Sequence, residues 1–285
     1  MNALRLAGLI AARNLRNVVR IPGNVFSVVG VPLLVLVVFS GAFDRVTSLP
    51  GFPTPSALTW ITPYAVVLGA TFSGLGTASN VERDRATGFL DRLFASPAGP
   101  FALIAGEVLG TIGRALIQLA VILVAAVPAG LRMPGGALAL VVLVVVGAGL
   151  SACSALWSLA LMHAVRGPQT IGLVSAALYA VGLLSTGQIP SSYQTGWLAA
   201  TSRHNPLSPV LATARSGFLG PVTWHAAGTG LIVLAVLLAV LATGAWLAVT
   251  QARRADPGAA SQTDDGPALG IDHPVPDPVD GLPAS

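Results

Sequence analysis

Long apolar stretches separated by short polar segments dominate the hydropathy pattern of this 285-residue chain. A hydrocarbon core of roughly 30 Å requires about 20 apolar residues in a helix. Six stretches qualify, at 24–43, 60–80, 102–130, 137–163, 169–187 and 225–250. Pro32 falls inside the first stretch, and the third carries Glu107 and Arg114, which leaves room for its first turns to extend into the cytoplasm. The pattern predicts an all-α membrane protein with six transmembrane helices.

The distribution of arginine predicts the orientation of these helices. All fifteen basic residues are arginines. With a cytoplasmic N-terminus, the inner segments carry eleven of them, and the outer segments carry four: Arg45, Arg132, Arg203 and Arg215. Because basic residues favour the cytoplasmic side of a membrane, we expect a multi-pass protein of the cell membrane with both termini in the cytoplasm.

Residues 1–22 form a predicted amphipathic helix ahead of the first apolar stretch. At about 100° per residue, its four arginines share an arc of roughly 80°. Most of the apolar residues, such as Ile10 and Val18, fall on the opposite half. We expect this helix to lie in the cytoplasmic interface with its arginines towards lipid headgroups. A topology anchor and a role in coupling both remain open. The four arginines are Arg5, Arg13, Arg16 and Arg20.

The composition changes abruptly near residue 255. Residues 256–285 contain six aspartates, six prolines and no basic residue. Such a segment buries too little apolar surface to fold. The predicted organisation is therefore an interfacial helix at 1–22, a transmembrane domain at 23–252 and a disordered acidic cytoplasmic tail at 253–285.

The residue inventory excludes several functions. A P-loop needs a lysine for the β/γ-phosphates, and the chain has none, so it cannot hydrolyse ATP by that route. No histidine lies in the middle of an apolar stretch to activate Ser73 in the manner of an intramembrane protease. We predict no catalytic, cofactor or metal site. The arginines flank apolar stretches and form no patch, which argues against a nucleic-acid partner.

An ion-coupled secondary transporter usually places carboxylates or broken helices inside the membrane. Here the candidates are Glu107 and Arg114 alone, near the cytoplasmic end of one stretch. Gly106 and Gly110 have the spacing that permits close helix packing. The apolar interior is compatible with hydrophobic or amphiphilic cargo.

The connector between the second and third apolar stretches, residues 82–97, is the most distinctive segment. It combines mixed charge with an apolar stripe made by Phe89, Leu90, Leu93 and Phe94. Gly88 permits a bend, and Ser96-Pro97 ends the helix. The pattern predicts a short amphipathic helix that docks into a groove of a cytoplasmic partner. The alternative is a helix that rests on lipid headgroups.

These segments resemble the permease subunits of type 2 ABC exporters, close to the daunorubicin-resistance branch. The connector residues that match the family are Glu82, Arg83, Gly88, Leu90, Arg92, Leu93, Ser96 and Pro97. A second match resembles the family's extracellular re-entrant segment between helices five and six, at Pro190, Trp197, Asn205, Pro206 and Arg215. The family often has lysine where this chain has Glu107.

The resemblance implies a transport function. Two permease chains, either two copies or this chain and a related one, would form the pathway, and separate ABC ATPase subunits would bind below. The connector, including Phe89, would be the coupling helix, and the interfacial helix a second contact. The chain would export drugs, antibiotics or other lipophilic compounds without an enzymatic activity of its own. The alternative is a non-transporting membrane anchor or assembly protein.

Overall fold

The computed structural model describes residues 2–20, 26–165, 167 and 169–255. Within these residues the chain consists of α-helices with short π- and 3₁₀-helical turns and contains no strand, which confirms the predicted all-α class. Residues 253–255, predicted to open the disordered tail at 253–285, are instead the end of the last helix. The rest of that tail lies outside the described residues, as do the first residues of the first apolar stretch and Arg166.

Eleven α-helices follow one another in the described part of the chain. A π-helical turn at Phe26–Gly30 leads into the second helix, and 3₁₀ turns occupy Val46–Ser48 and Ser191–Tyr193. The helices are α1 (Ala3–Arg20), α2 (Val31–Phe43), α3 (Ala57–Phe72), α4 (Gly74–Ala86), α5 (Phe89–Phe94), α6 (Gly99–Ala126), α7 (Gly136–Ala164), α8 (Thr170–Leu183), α9 (Gly196–His204), α10 (Leu207–Leu219) and α11 (Trp224–Ala255).

Four helical segments are long and apolar enough to cross a membrane: Ala57–Ala86, Gly99–Ala126, Gly136–Ala164 and Trp224–Arg254. Two shorter apolar helices, Val28–Phe43 and Thr170–Leu183, coincide with the predicted first and fifth stretches. At 1.5 Å per residue, α8 reaches about 21 Å, which is less than the roughly 30 Å of a hydrocarbon core. All six apolar segments are therefore helical, but length supports only four of them as crossings.

Helix α7 lies at the centre of the bundle, where it packs against α3, α4, α6, α10 and α11. The approach to α4 is close: a Cβ on Gly74 would lie 2.4 Å from the Ser154 carbonyl oxygen. Helix α11 lies at the periphery, and its exposed apolar residues include Ile232, Val236 and Val240. Such an apolar outer face is typical of a helix that contacts lipid.

Two apolar clusters hold the helices together. The first joins α3, α7 and α10 through side chains that include Tyr64, Leu143 and Phe218. The second lies beneath α5 and includes Leu103 and Met162. This second cluster fixes the position of the connector.

The proline predicted inside the first span lies instead at a helix junction. Pro32 occupies the first turn of α2, directly after the π-helical turn. A missing N–H costs least in the first turn, because that donor has no partner within the helix. Pro63, by contrast, lies inside α3.

Candidate functional site

The connector between α4 and α6 is a bent pair of helices. Helix α4 ends at Ala86, Gly88 adopts a left-handed conformation with φ of 63°, and α5 follows at Phe89–Phe94. Glycine carries no steric penalty in that conformation, so the predicted bend at Gly88 is confirmed. The expectation of one amphipathic helix is corrected, because the charged residues from Glu82 onward extend α4 while the apolar stripe forms α5.

The apolar stripe of α5 turns into the chain's own core. Leu90 and Leu93 are 4% and 5% exposed and belong to the cluster beneath the connector. Phe89 and Phe94 are partly buried against the same cluster. The interpretation that these leucines are free to enter a partner's groove is therefore wrong. The periodicity correctly marked one face as apolar, but it could not show that α6 and α7 cover that face.

Most of the charged residues of the connector lie on its exposed surface, and the buried Asp84 is the exception. We call this surface the connector rim. The backbone of Met162 at the end of α7 accepts a hydrogen bond of 2.8 Å from Arg85 Nη2, which ties the rim to the bundle. The rim is thus a rigid surface of mixed charge, to which Ser96 adds a half-buried hydroxyl. Its exposed residues are Glu82, Arg83, Arg85, Ala86, Thr87, Asp91, Arg92, Ala95 and Pro97.

Helix α1 packs along α6 through small residues. A Cβ on Gly106 would lie 2.6 Å from Ile10 Cβ, and one on Gly110 would lie 2.9 Å from Asn14 Cβ. The predicted close packing at these two glycines is confirmed. The apolar face of α1 therefore covers α6, whereas a helix lying on the membrane surface would present that face to lipid.

We predict that Gly106→Ala lowers the thermal stability of the chain. Overpacking against Ile10 costs about 1–3 kcal/mol, while the higher helix propensity of alanine returns at most about 1 kcal/mol. Gly8→Ala on α1 is the matched control, because a Cβ there meets nothing within 4 Å. Thermal unfolding in detergent should rank Gly8→Ala above wild type and Gly106→Ala below it. A Gly106→Ala variant as stable as Gly8→Ala would contradict this packing.

Arg13 differs from the other three arginines of α1. Its guanidinium forms a two-pronged ion pair with Asp84 of α4, at 2.9 Å and 2.6 Å, and lies 4.8 Å from the centroid of the Phe89 ring. A bidentate pair fixes geometry as well as contributing energy. The expectation that Arg13 faces headgroups is therefore wrong. Arg5, Arg16 and Arg20 are exposed, and their placement among headgroups stays a prediction.

Glu107 is the buried carboxylate at which three helices meet. Its side chain is 0% exposed and accepts hydrogen bonds from Asn14 Nδ2 of α1 at 2.9 Å and from Asn80 Nδ2 of α4 at 3.1 Å. Arg13 Nη2 lies 3.9 Å away. Together with the Arg13–Asp84 pair, these contacts join α1, α4 and α6 in what we call the polar clamp, made of Arg13, Asn14, Asn80, Asp84 and Glu107.

The predicted outer segment is a pair of short helices, α9 and α10, joined at Asn205-Pro206. Asn205 Nδ2 donates to the Val181 carbonyl at 2.8 Å, and Asn205 Oδ1 accepts from the Leu207 N–H at 2.9 Å. This asparagine therefore links α8 to the start of α10. Pro190 is buried, whereas Pro206 and Trp197 are exposed.

Arg215 of α10 holds the loop that precedes these short helices. Its guanidinium is stacked 3.6 Å from the ring centroid of Trp60 and donates to the backbone carbonyls of Thr186, at 2.8 Å, and Gly187. Trp60 Nε1 in turn donates to the Gln188 carbonyl at 3.0 Å. The arginine is 4% exposed. The residue that the sequence singles out in this segment therefore lies at the centre of a buried set of contacts.

Comparison with known proteins identifies the family. The model of the ABC-2 type transporter family matches residues 5–219, from α1 to the end of α10. The chain belongs to the ABC-2 type transporter family. It is also 28% identical over 232 residues to the daunorubicin resistance ABC transporter permease protein DrrB1 of Streptomyces coeruleorubidus, a match that covers 78% of this chain and 77% of the relative.

Membership gives the polar clamp and the connector rim a common context. Members of this ABC-2 family are transmembrane subunits and not themselves enzymes, and the apolar helices agree with a multi-pass membrane protein. In this ABC-2 chain the rim is exposed, and the clamp ties it to α1 and α6.

Three residues of the clamp are not predicted by the sequence pattern: Asn14, Asn80 and Asp84. Asn14 left a readable signal, because it falls among Ala7, Ile10 and Val18 on the apolar side of α1. A buried amide requires a hydrogen-bond partner. The burial of Asp84 and Asn80 is not predictable in this way, since both belong to a run of charged and polar residues that predicts exposure to solvent.

Proposed function

We propose that this chain is the permease subunit of an ATP-driven ABC-2 type exporter and moves lipophilic compounds across the cell membrane. The observation that carries the proposal is the anchored connector: an exposed rim, held by a largely buried polar clamp, within a chain of the ABC-2 family. A separate ATPase subunit would dock on the rim and supply the energy. A second permease copy or a related permease would complete the pathway.

The proposal includes a topology of six crossings with cytoplasmic termini. The six apolar helical segments and the excess of arginine on one side support it. In this arrangement the connector rim and α1 face the cytoplasm. The outer segment around Asn205 and Arg215 lies on the opposite side as a re-entrant turn, with its backbone polar groups satisfied inside the protein.

Coupling would work by rigid-body movement. The leucines of α5 are buried in the chain, so the connector cannot slide independently of α6 and α7. Closure of the ATPase pair would push the rim, and the clamp would transmit that push to α1, α4 and α6. A tilt of α4 continues into α3, since the two helices are separated by Ser73 alone.

The cargo class follows from the resemblance and from the apolar interior. The named relative is a daunorubicin resistance permease, and drug-like lipophilic compounds are the class we propose for this chain. Most polar side chains inside the bundle bond to neighbouring helices in ways that build the fold, such as the 2.9 Å contact between Thr77 Oγ1 and Thr111 Oγ1. Such an interior favours amphiphiles over small ions.

Docking at the rim is tested by reversing one exposed charge. In Arg92→Glu we expect the affinity for the ABC ATPase to fall at least about tenfold. An arginine at an interface faces acidic groups of the partner, and a glutamate in its place would repel those groups. Co-purification and titration of the ATPase onto the detergent-solubilised chain measure this. Arg92 is exposed, so its replacement should change stability by no more than about 0.5 kcal/mol.

Arg45→Glu is the matched control, because Arg45 is also exposed but belongs to the segment between α2 and α3. Normal ATPase binding by Arg45→Glu alongside a loss in Arg92→Glu supports docking at the rim. Equal binding by both variants would contradict it. A chain that binds no ABC ATPase at all would favour the alternative function, a non-transporting anchor or assembly protein.

A further inference from the structure

A cavity of about 260 Å³ opens between α1, α2, the α3–α4 junction, α6 and α8. It lies beside the polar clamp, and Asn14 and Asn80 contribute to both. Exposed Ser79 and Arg83 line one part of the cavity, so it reaches the surface near the connector. The contacts of the polar clamp and of the connector rim do not fill this cavity.

The charged lining of the cavity is entirely basic. Among the lining residues that the structure describes, two are arginines, Arg83 and Arg114, and none is an aspartate or glutamate. The neutral polar lining includes the amides of Asn80 and Gln118. Guanidinium and amide N–H groups are donors that phosphate and carboxylate oxygens accept.

Arg114 is buried and incompletely bonded. It is 6% exposed, and its hydrogen bonds all use Nη2, the shortest at 2.7 Å to Thr111 Oγ1. Its Nε is buried and has no hydrogen-bond partner among the described residues. No carboxylate oxygen described in the structure comes within 4.0 Å of this guanidinium. Glu107, two turns away on α6, is instead bonded to Asn14 and Asn80.

The remaining wall of the cavity is apolar. Phe72, Val31 and Pro32 line it, together with Tyr179, whose ring centroid lies 4.3 Å from that of Phe72. Clefts that enclose drug-sized ligands measure roughly 300–1,000 Å³, so this cavity is too small for such a ligand as a whole. It is large enough for a compact headgroup whose hydrocarbon tail continues along the apolar wall.

We propose that the cavity binds an amphiphile by its anionic headgroup, a phosphate or a carboxylate, with Arg114 as the main contact. Because no carboxylate oxygen of the described residues lies within 4.0 Å of the Arg114 guanidinium, its free N–H groups can bind an anion, and the Gln118 amide supplies a further donor. The headgroup preference is a property of this site and does not restrict what the whole pathway moves. A role of the site in cargo binding rests on the proposed function, whereas binding itself does not.

The test uses the full chain in a neutral detergent, titrated with dodecyl phosphate and followed by native mass spectrometry. Dodecyltrimethylammonium, with the same tail and a positive headgroup, is the control ligand. We expect one dodecyl phosphate per chain and no specific binding of the cation. Arg114→Gln should weaken dodecyl phosphate binding roughly tenfold to hundredfold, and Arg114→Lys should weaken it less. Arg45→Gln removes an exposed charge elsewhere and should change nothing.

A second variant guards against a folding defect in Arg114→Gln. Val31→Phe extends into the cavity and leaves Arg114 in place, so it should also lose the bound phosphate. Equal binding of the two headgroup charges, or unchanged dodecyl phosphate binding by both Arg114→Gln and Val31→Phe, would overturn the proposal.

The anion has two possible sources, a resident phospholipid or an exported amphiphile. The ATPase assay uses the transporter assembled with its ATPase. If dodecyl phosphate stimulates ATP hydrolysis by wild type but not by Arg114→Gln, the bound anion is cargo. Unchanged hydrolysis, with one phosphatidylglycerol retained per purified chain, identifies a resident lipid. If the chain binds both headgroup charges equally, the proposed site is wrong and the proposed function is unaffected. If the chain binds dodecyl phosphate selectively but does not stimulate any ABC ATPase, the proposed function is wrong and the site is unaffected.

Discussion

Replacing Glu107 by leucine should lower the free energy of unfolding by about 3–5 kcal/mol, the range for removing one partner from a buried charged network. The substitution leaves the amides of Asn14 and Asn80 without their acceptor and removes a carboxylate 3.9 Å from Arg13. Glu107→Gln retains one acceptor oxygen and should cost less. Equilibrium unfolding in mixed micelles measures both variants.

Two further variants make the Glu107 result specific. Glu82→Gln removes an exposed carboxylate from the same region and should stay within about 0.5 kcal/mol of wild type. Glu107→Lys should be the most destabilising of the set, because it places a second cation beside Arg13 in a buried site. A Glu107→Leu variant as stable as Glu82→Gln would show that the clamp does not hold the three helices together.

Arg215→Met is expected to destabilise the chain by roughly 2–5 kcal/mol, since it leaves the buried carbonyl of Gly187 and the partly buried carbonyl of Thr186 unpaired. It also removes the stacking of the guanidinium on Trp60. Loop residues from Thr186 to Gln188 should become accessible to protease and to hydrogen exchange. Thermal unfolding together with hydrogen–deuterium exchange of this loop measures the effect.

Arg203→Met is the matched control for Arg215, because Arg203 is exposed on α9 and its loss should have little effect. Arg215→Lys keeps the charge, but an ammonium lacks the planar fork that reaches several acceptors, so most of the loss should persist. Full stability in Arg215→Lys would indicate that charge alone matters at this position. Unchanged exchange in Arg215→Met would contradict the contact with the loop.

The sequence predicted the helical segments well, because a long apolar stretch has one stable form in lipid. It located α1, all six apolar segments and the bend at Gly88, and it singled out Arg215. Boundaries shifted where local chemistry intervened, as at Ser96-Pro97, after which α6 begins at Gly99. The spacing of Gly106 and Gly110 predicts close packing on this face of α6. It does not predict that α1 is the helix that packs there.

The errors share one physical cause. Periodicity shows which side of a helix is apolar, but it does not show what covers that side. The pattern therefore assigns Leu90 and Leu93 to a partner, although α6 and α7 bury them. In the same way, Arg13 and Asp84 are 71 positions apart in the chain, and nothing in the local pattern of either residue reveals the pairing.

The central claim, that this chain is an ATP-driven permease for lipophilic compounds, is tested most directly by transport. The full chain and an ABC ATPase would be reconstituted in liposomes with daunorubicin as a fluorescent probe, with Arg92→Glu and Arg45→Glu in parallel. We predict ATP-dependent movement of the probe by wild type and Arg45→Glu, and its loss in Arg92→Glu. No ATP-dependent movement by wild type while the ATPase stays bound, or equal movement by all three chains, would contradict the account.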